Sequence, residues 1–395
     1  MLQTLTENIL PFWLRMQDQE RGGFYGQMRG DGTLVKDANK GGILNARILW
    51  SFAAAYRVTK CQEYLDAATR AKDYIIRYFV DKEYGGIYWE LDCNGNPVDT
   101  KKQFYAIGFA IYGLSEYARA TGDDEALRVA LQLYDVIEQH SLDSVHNGYI
   151  EACTREWSEI ADMRLSDLDA NYPKSQNTHL HIIEPYANLY RVLKATCPDA
   201  DITLRVEKSL RNLIDIFCDK ILNPETHHLD LFFDMDWTRG AGALESYGHD
   251  IECSWLMHEA ALVLGDAEVL AKVEPIVQLV AKASEKGLNA DGSMVHEANL
   301  DTGYVDVDRH WWVQAETVVG FYNIYQYFHD PSALDKALHC WQYIKDNLID
   351  HELGEWYWSR DPERNINLKD DHAGFWKCPY HNSRMCLELI ERINC

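Results

Sequence analysis

Apolar residues along the chain follow two helical rhythms. In one set of segments they occupy most of the helix circumference: ILNARILWSFAAAYRV (43–58), QFYAIGFAIYGLSEYARA (103–120) and THLHIIEPYANLYRVLKA (178–195). DIECSWLMHEAALVLG (250–265), WVQAETVVGFYNIYQYF (312–328) and YHNSRMCLELIERI (380–393) continue that set. Helices of this kind are buried on more than one side. A second set is amphipathic and more charged, as in EYLDAATRAKDYIIRYF (63–79), EALRVALQLYDVIEQH (125–140) and SALDKALHCWQYIKDNL (332–348). Its apolar residues fall near i, i+3, i+4 and i+7, the stripe of a half-exposed helix.

The two kinds alternate, and a glycine–aromatic signature punctuates them. It reads RGGFYG (21–26), YGGIYWELDCNGNP (84–97), HNGYIEACTREW (146–157), HHLDLFFDMDW (227–237), ADGSMVHEANL (290–300) and LGEWYWSRDPERN (353–365). The steps from Gly23 to Gly86, Gly86 to Gly148 and Gly292 to Gly354 are 63, 62 and 62 residues. Six such units predict an all-α (α/α)6 barrel, six inner and six outer helices joined by short β-hairpins, as one domain over residues 1–395. An open superhelical solenoid is the alternative. Terminal helices no more polar than the others favour closure. The third step is longer by roughly 20 residues on the repeat reading. The polar segment SEIADMRLSDLDANYPKSQ (158–176) accounts for it as a long loop, a candidate lid or substrate contact.

Composition narrows the function. With 47% hydrophobic and 25% charged residues the chain is an ordinary globular one. A formal charge of −24 disfavours nucleic acid and anionic membranes, which need clustered Lys and Arg. The start MLQTLTENILPFW has no signal-peptide pattern, and no apolar run reaches the roughly 18–20 residues of a membrane span. Ten cysteines without a CxxC pair point to a reduced, cytoplasmic protein.

Polar residues in the inner helices cluster near their starts: Arg47, Tyr105, Asn177, His181, His249, Glu252, Glu316, His381 and Arg384. One polar group on an apolar helix is usually a satisfied core residue. Nine at one level of a ring predict a site at the mouth of the barrel, where helix N-termini favour developing negative charge. His249 and Glu252 share a helix face at i, i+3, so the carboxylate is placed to orient the imidazole. His179 and His181, about 200° apart on a helix, cannot share a metal. Neither an HExxH motif nor a second ExxH-type helix accompanies His249, so no metal site is expected. General acid/base catalysis by imidazole fits better. Trp311, Trp312 and Trp376 stand at the same level as candidate sugar platforms, whereas Trp255 reads as core. This combination suggests proton transfer beside a sugar carbonyl; hydrolysis by two carboxylates is the competing chemistry.

RILWSFAAAYR, NTHLHIIEPYANLYRV, GHDIECSWL, WWVQAE and FWKCPYHNSRMC resemble the cellobiose 2-epimerases of the N-acylglucosamine 2-epimerase superfamily, over essentially the whole chain. The resemblance implies an (α/α)6 barrel that epimerises the reducing-end glucose of β-1,4-linked disaccharides at C2, without nicotinamide or metal. Cellobiose would become glucosyl-mannose, lactose epilactose, and mannobiose mannosyl-glucose. It also implies that His249 and His381 exchange the C2 proton through a cis-enediol(ate) and that His181 handles sugar oxygens. Glu252 would support His249, and Glu316 would be another pocket acid. Arg47, Tyr105, Asn177 and Arg384 would position the substrate, and Trp312 and Trp376, with Trp311 beside them, would stack on it. Catalytic residues are therefore expected at His249, His381, His181 and Glu252. Substrate contacts are expected at Arg47, Tyr105, Asn177, Trp311, Trp312, Glu316, Trp376 and Arg384. The expected partner is a small disaccharide, with no cofactor, nucleic acid or membrane, and a monomer or weak homodimer. An aldose–ketose isomerase or an N-acylglucosamine 2-epimerase on the same scaffold, an inverting (α/α)6 glycoside hydrolase and a non-catalytic sugar binder are the alternatives.

Overall fold

In the computed structural model, which describes residues 1–394, the chain enters through a π-helical turn (Thr4–Ile9) and a short outer helix, α1 (Leu10–Arg15). The apolar stretches become the inner helices α2 (Gly42–Thr59), α4 (Phe104–Thr121), α6 (Gln176–Thr196), α8 (Tyr247–Leu264), α10 (Trp311–Phe328) and α12 (Tyr380–Asn394). Between them lie the outer helices α3 (Gln62–Tyr74), α5 (Asp124–His140), α7 (Asp201–Ile216), α9 (Ala267–Ser284) and α11 (Pro331–Asn347).

Local chemistry explains the turn from inner to outer layer. Helices α4, α8 and α10 stop at a left-handed residue, Gly122, Gly265 or His329. An aspartate follows immediately, and its side chain caps the next helix: Asp123 accepts from the Ala126 N–H, Asp266 from Glu268 and Val269, and Asp330 from Ser332. A left-handed stop followed by an acidic N-cap is an efficient hinge between antiparallel helices.

The return from outer to inner layer is made by hairpins. Antiparallel bridges close them at Gln17–Phe24, Val80–Ile87, Leu142–Tyr149, Leu222–Leu229, Leu288–Met294 and Ile349–Trp356. The step from Leu142 to Leu222 is the long one, and its extra length is the irregular segment 154–173. Two- or three-residue strands ahead of five inner helices each pair with the hairpin of the next repeat, as Lys40–Gly41 does with Glu90–Leu91. The sixth pairing joins Met28 of the first repeat to Ala373 of the last, with the Met28 N–H 2.7 Å from the Ala373 carbonyl. Each inner helix also packs on the next, and α12 packs back on α2. The ring is therefore closed, and the solenoid alternative is set aside.

Two features make the inner ring tight. A Cβ on Gly108 would stand 2.4 Å from the His181 carbonyl oxygen, and one on Gly113 would stand 2.7 Å from that of Ala46. Glycine at these positions lets α4 approach both neighbours. Buried lysines ahead of the inner helices reach back to the preceding hairpin turn: Lys40 to Asp18 (3.1 Å), Lys102 to Asp81 (2.8 Å), Lys174 to Asp143 (2.8 Å) and Lys377 to Glu355 (2.6 Å). Among the described residues no helix is long and apolar enough to cross a membrane, and nine cysteines are free.

Candidate active site

Hairpins occupy the end of the barrel where all six inner helices begin. A cavity of about 600 Å³ opens there, lined by residues from the first turns of each of them. Helix N-termini direct their partial positive charge at such a space. Arg47, Tyr105, Asn177, His181, His249, Glu252, Trp311, Trp312, Trp376 and His381 line it. Glu316 and Arg384, expected to touch substrate, do not. They lie beneath the histidines at 1% and 0% exposure and act on the cavity through other side chains.

The floor is a charge network centred on Arg384. Its Nη2 donates to Glu252 Oε1 and Glu316 Oε1, each at 2.6 Å, and its Nη1 donates to Glu184 Oε2 at 2.6 Å. Glu316 in turn meets His381 Nδ1 at 2.7 Å through Oε1 and accepts from Trp255 Nε1 at 2.9 Å through Oε2. Trp255 is fully buried, as its place in the pattern required, and it also holds this carboxylate in position.

The expected support of His249 by Glu252 is not formed. His249 Nδ1 pairs with Ser246 Oγ at 2.8 Å, whereas Glu252 faces Arg384 and lies 3.8 Å from His381 Nδ1. Sharing a helix face at i, i+3 permits a contact but does not choose it, and a guanidinium wins a buried carboxylate over a neutral ring. The i, i+3 carboxylate that does serve a histidine is Glu184, whose Oε1 is 2.6 Å from His181 Nδ1. Our sequence reading missed it, although HIIE carries the same spacing. All three imidazoles thus engage Nδ1 and leave Nε2 for a ligand.

Trp312 packs against two of these rings, 5.0 Å from the His249 centroid and 5.5 Å from that of His381. Opposite, His181 packs edge-on against Tyr105 at 4.7 Å, and Arg47 Nη2 donates to the Tyr105 hydroxyl at 2.8 Å. Trp376 is 6.1 Å from Tyr105. Trp311 is more recessed, packed on Trp358 at 4.8 Å. His179, two residues from His181, points away and accepts from the Tyr149 N–H, as the helical angle demanded.

Burial sets the protonation states. It drives His249 and His181 well below the ordinary imidazole range, reinforced at His181 by the Arg47 and Arg384 guanidinium groups and at His249 by the neighbouring histidines. For His381 burial outweighs the Glu316 hydrogen bond, leaving a value of about 3. The carboxyls diverge. Burial raises both, but Arg384 and His381 hold Glu316 below its usual range, while burial and the charge of Glu316 push Glu252 well above. Near neutral pH the imidazoles are neutral and Glu316 is ionised beside the Arg47 and Arg384 guanidinium groups, while burial and the Glu316 charge bias Glu252 toward its neutral form. That balance suits an anionic intermediate.

Among the described residues two clusters have the makings of a cation site: Glu252–Glu316–His381, and His296–Asp306–His310 on the rim. In the first, Arg384 already supplies the cation between the carboxylates. The loop expected over 158–176 forms one wall of the cavity through Leu165, Ser166 and Asp169. The sequence marks the loop itself as a candidate lid or substrate contact, but neither its individual lining residues nor the rim cluster stand out in it, because their segments have no regular period. A second cavity, about 490 Å³, lies at the opposite ends of α6, α8, α10 and α12. Its charges pair internally, as Arg191–Glu259 (2.6 Å) and Arg392–Glu388 (3.0 Å), and no histidine lines it.

Residues 23–383 match the N-acylglucosamine 2-epimerase (GlcNAc 2-epimerase) family. The cellobiose 2-epimerase of Bacteroides fragilis is 58% identical over 391 residues, covering 99% of this chain and 97% of that protein. The cellobiose 2-epimerase of Ruminococcus albus is 40% identical, with the same coverage. The solved cellobiose 2-epimerase of Bacillus thermoamylovorans B4167 superposes with a TM-score of 0.92 at 42% identity, covering 99% of this chain and 98% of that one. With this agreement in sequence, ring architecture and length, the chain belongs to the N-acylglucosamine 2-epimerase family and is an enzyme of the isomerase class.

Proposed function

We propose that this enzyme is a cellobiose 2-epimerase, interconverting glucose and mannose at the reducing end of β-1,4-linked disaccharides such as cellobiose, lactose and mannobiose. The carrying observation is the pair of neutral imidazoles, His249 and His381, which line one cavity and both pack against the Trp312 ring. Two bases that reach a shared carbon from different directions are what inversion at C2 requires.

Ring opening moves the O1 proton to O5, with His181, beside Arg47 and Tyr105, in reach of the sugar oxygens. One imidazole Nε2 then takes the C2 proton. The C–H electron pair becomes the C1=C2 bond, and charge collects on O1 of a cis-enediolate. Arg47 and the converging helix N-termini oppose that charge, the kind of donor whose loss costs roughly 100- to 1000-fold. Rotation about C2–C3 presents the other face. There the second imidazole, having taken a proton from water at Nε2, delivers it to C2 as the O1 charge re-forms the carbonyl, and the first imidazolium returns its proton to water. No electron is gained or lost overall.

Size and lining support a disaccharide. The cavity is within the roughly 300–1000 Å³ of small-molecule sites, and it extends from the histidines to the Leu165–Asp169 wall. Asn177 and Glu252 belong to the cavity wall, and Asn177 Oδ1 and Glu252 Oε2 are buried with no hydrogen-bond partner in the protein. Trp312 and Trp376 offer faces to the rings. Soluble sugar needs no partner chain, and a monomer or weak homodimer fits this reading.

Cellobiose incubated with the enzyme in D2O and followed by NMR tests it. Deuterium at C2 of a new mannose unit is the expected outcome. A ketose would replace this reading with aldose–ketose isomerisation, free glucose with hydrolysis, and unchanged sugar with binding alone. His249→Ala and His381→Ala should each abolish turnover with the helical fold intact; near-normal activity in either would sink the assignment.

A further inference from the structure

The rim of the cavity carries a group that the proposed reaction does not use. His296 precedes the short strand Glu297–Asn299, Asp306 follows its partner strand Tyr304–Val305, and His310 lies on the strand leading into α10. Asp306 Oδ2 is 2.9 Å from His310 Nε2 and 3.4 Å from His296 Nδ1. One ligand atom from each of the three lies within 4.8 Å of the others. All three residues line the cavity and are partly exposed, so an ion can reach them.

We propose that His296, Asp306 and His310 form a binding site for a divalent transition cation of the zinc class. Two imidazoles and one carboxylate are the donor set such ions prefer over magnesium or calcium, which want oxygen ligands. Ligands at about 2.0–2.2 Å in tetrahedral array stand roughly 3.3 Å apart. The His296–Asp306 separation already matches, and the His310–Asp306 separation must open by only a few tenths of an ångström. The far nitrogen of His296, Nε2, lies 3.8 Å from Glu297 Oε2, where a carboxylate can orient a metal-bound ring. Three protein ligands leave a fourth position for water or a sugar hydroxyl.

The ion would tie the rim hairpin to the start of α10, and thus to Trp311 and Trp312. It would also sit beside catalytic groups, since the His296 ring is 5.2 Å from Trp312 and 6.0 Å from His249. Binding at this rim does not depend on which reaction the cavity performs.

Isothermal titration of EDTA-treated full-length enzyme with zinc chloride tests the site directly. One ion per chain is expected, with affinity reduced at least 100-fold in His310→Ala and in Asp306→Asn. His381→Ala should retain it. Cobalt(II) should give tetrahedral-type visible bands in the wild type that both rim variants lose. Circular dichroism checks that each variant is folded, and the titration is read on those that are. No binding to the wild type, binding that survives in a folded rim variant, or binding lost in His381→Ala would each overturn the proposal.

Discussion

His381 Nδ1 lies 2.7 Å from Glu316 Oε1, whereas the corresponding nitrogen of His249 has only the Ser246 hydroxyl, at 2.8 Å. The two imidazoles are therefore unequal. A carboxylate stabilises an imidazolium directly, and a hydroxyl does so weakly. Three carboxylates approach the same Arg384: Glu316 also holds His381 and Glu184 also holds His181, whereas Glu252 holds no histidine within hydrogen-bond distance.

From this asymmetry, Glu316→Gln should lower kcat by on the order of 100-fold or more, because His381 loses its counter-charge and Arg384 one of its acceptors. Glu252→Gln should cost less than about tenfold in kcat, since burial and the Glu316 charge already favour its neutral form and the amide copies its shape. Steady-state kinetics on cellobiose compare the two. Equal losses, or the reverse order, would contradict this asymmetry.

Gly108 places α4 against the backbone of His181. Gly108→Ala should push that carbonyl away and destabilise the protein by about 1–3 kcal/mol, the usual range for an overpacked core. A several-fold fall in kcat should accompany it, because His181 sits on the displaced turn. Denaturant midpoints and kinetics measure both effects. Unchanged values would mean that the inner helices adjust more freely than this 2.4 Å approach implies.

Lys40 and Asp18 are both fully buried and 3.1 Å apart. Lys40→Met should cost about 3–5 kcal/mol by leaving the carboxylate uncompensated. Adding Asp18→Asn should recover part of that loss, because the amide oxygen still accepts from the Glu20 and Arg21 N–H groups. The double-mutant cycle in guanidinium gives the coupling. A double variant weaker than both singles would refute the pairing as the source of the cost.

His179 provides a pH test away from catalysis. Its Nδ1 donates to the Ser175 carbonyl, its Nε2 accepts from the Tyr149 N–H, and burial lowers it to about 4 from an ordinary 6.5. Between those values the unfolded chain holds the extra proton. Stability from this group is thus complete above pH 6.5 and lost as pH falls to about 4, by about 3 kcal/mol at most. His179→Gln should be less stable at pH 7 and show a shallower loss between pH 6.5 and 4. Parallel stability–pH curves for variant and wild type would rule out this role.

Helix identity, order and layer could be read from the chain because periodicity is a local property. Apolar residues around ILNARILWSFAAAYRV leave no face for water, and α2 spans Gly42–Thr59 accordingly. The same pattern brought ten of the twelve expected site residues to one cavity, since a position near the start of an inner helix is also a position in the mouth. What the sequence could not determine was partnership. Glu252 can face His249 or Arg384 from the same helix position, and the choice lies with α12, more than 130 residues away. Glu316 and Arg384 carry ligand-like side chains, but only the packed ring decides that they support the histidines from below. The rim cluster and the Met28–Ala373 closure join irregular segments, and no periodic signal in the chain marks them. Local pattern determines which face is buried, whereas the pairing of buried charges is settled by geometry that exists only once the ring has closed.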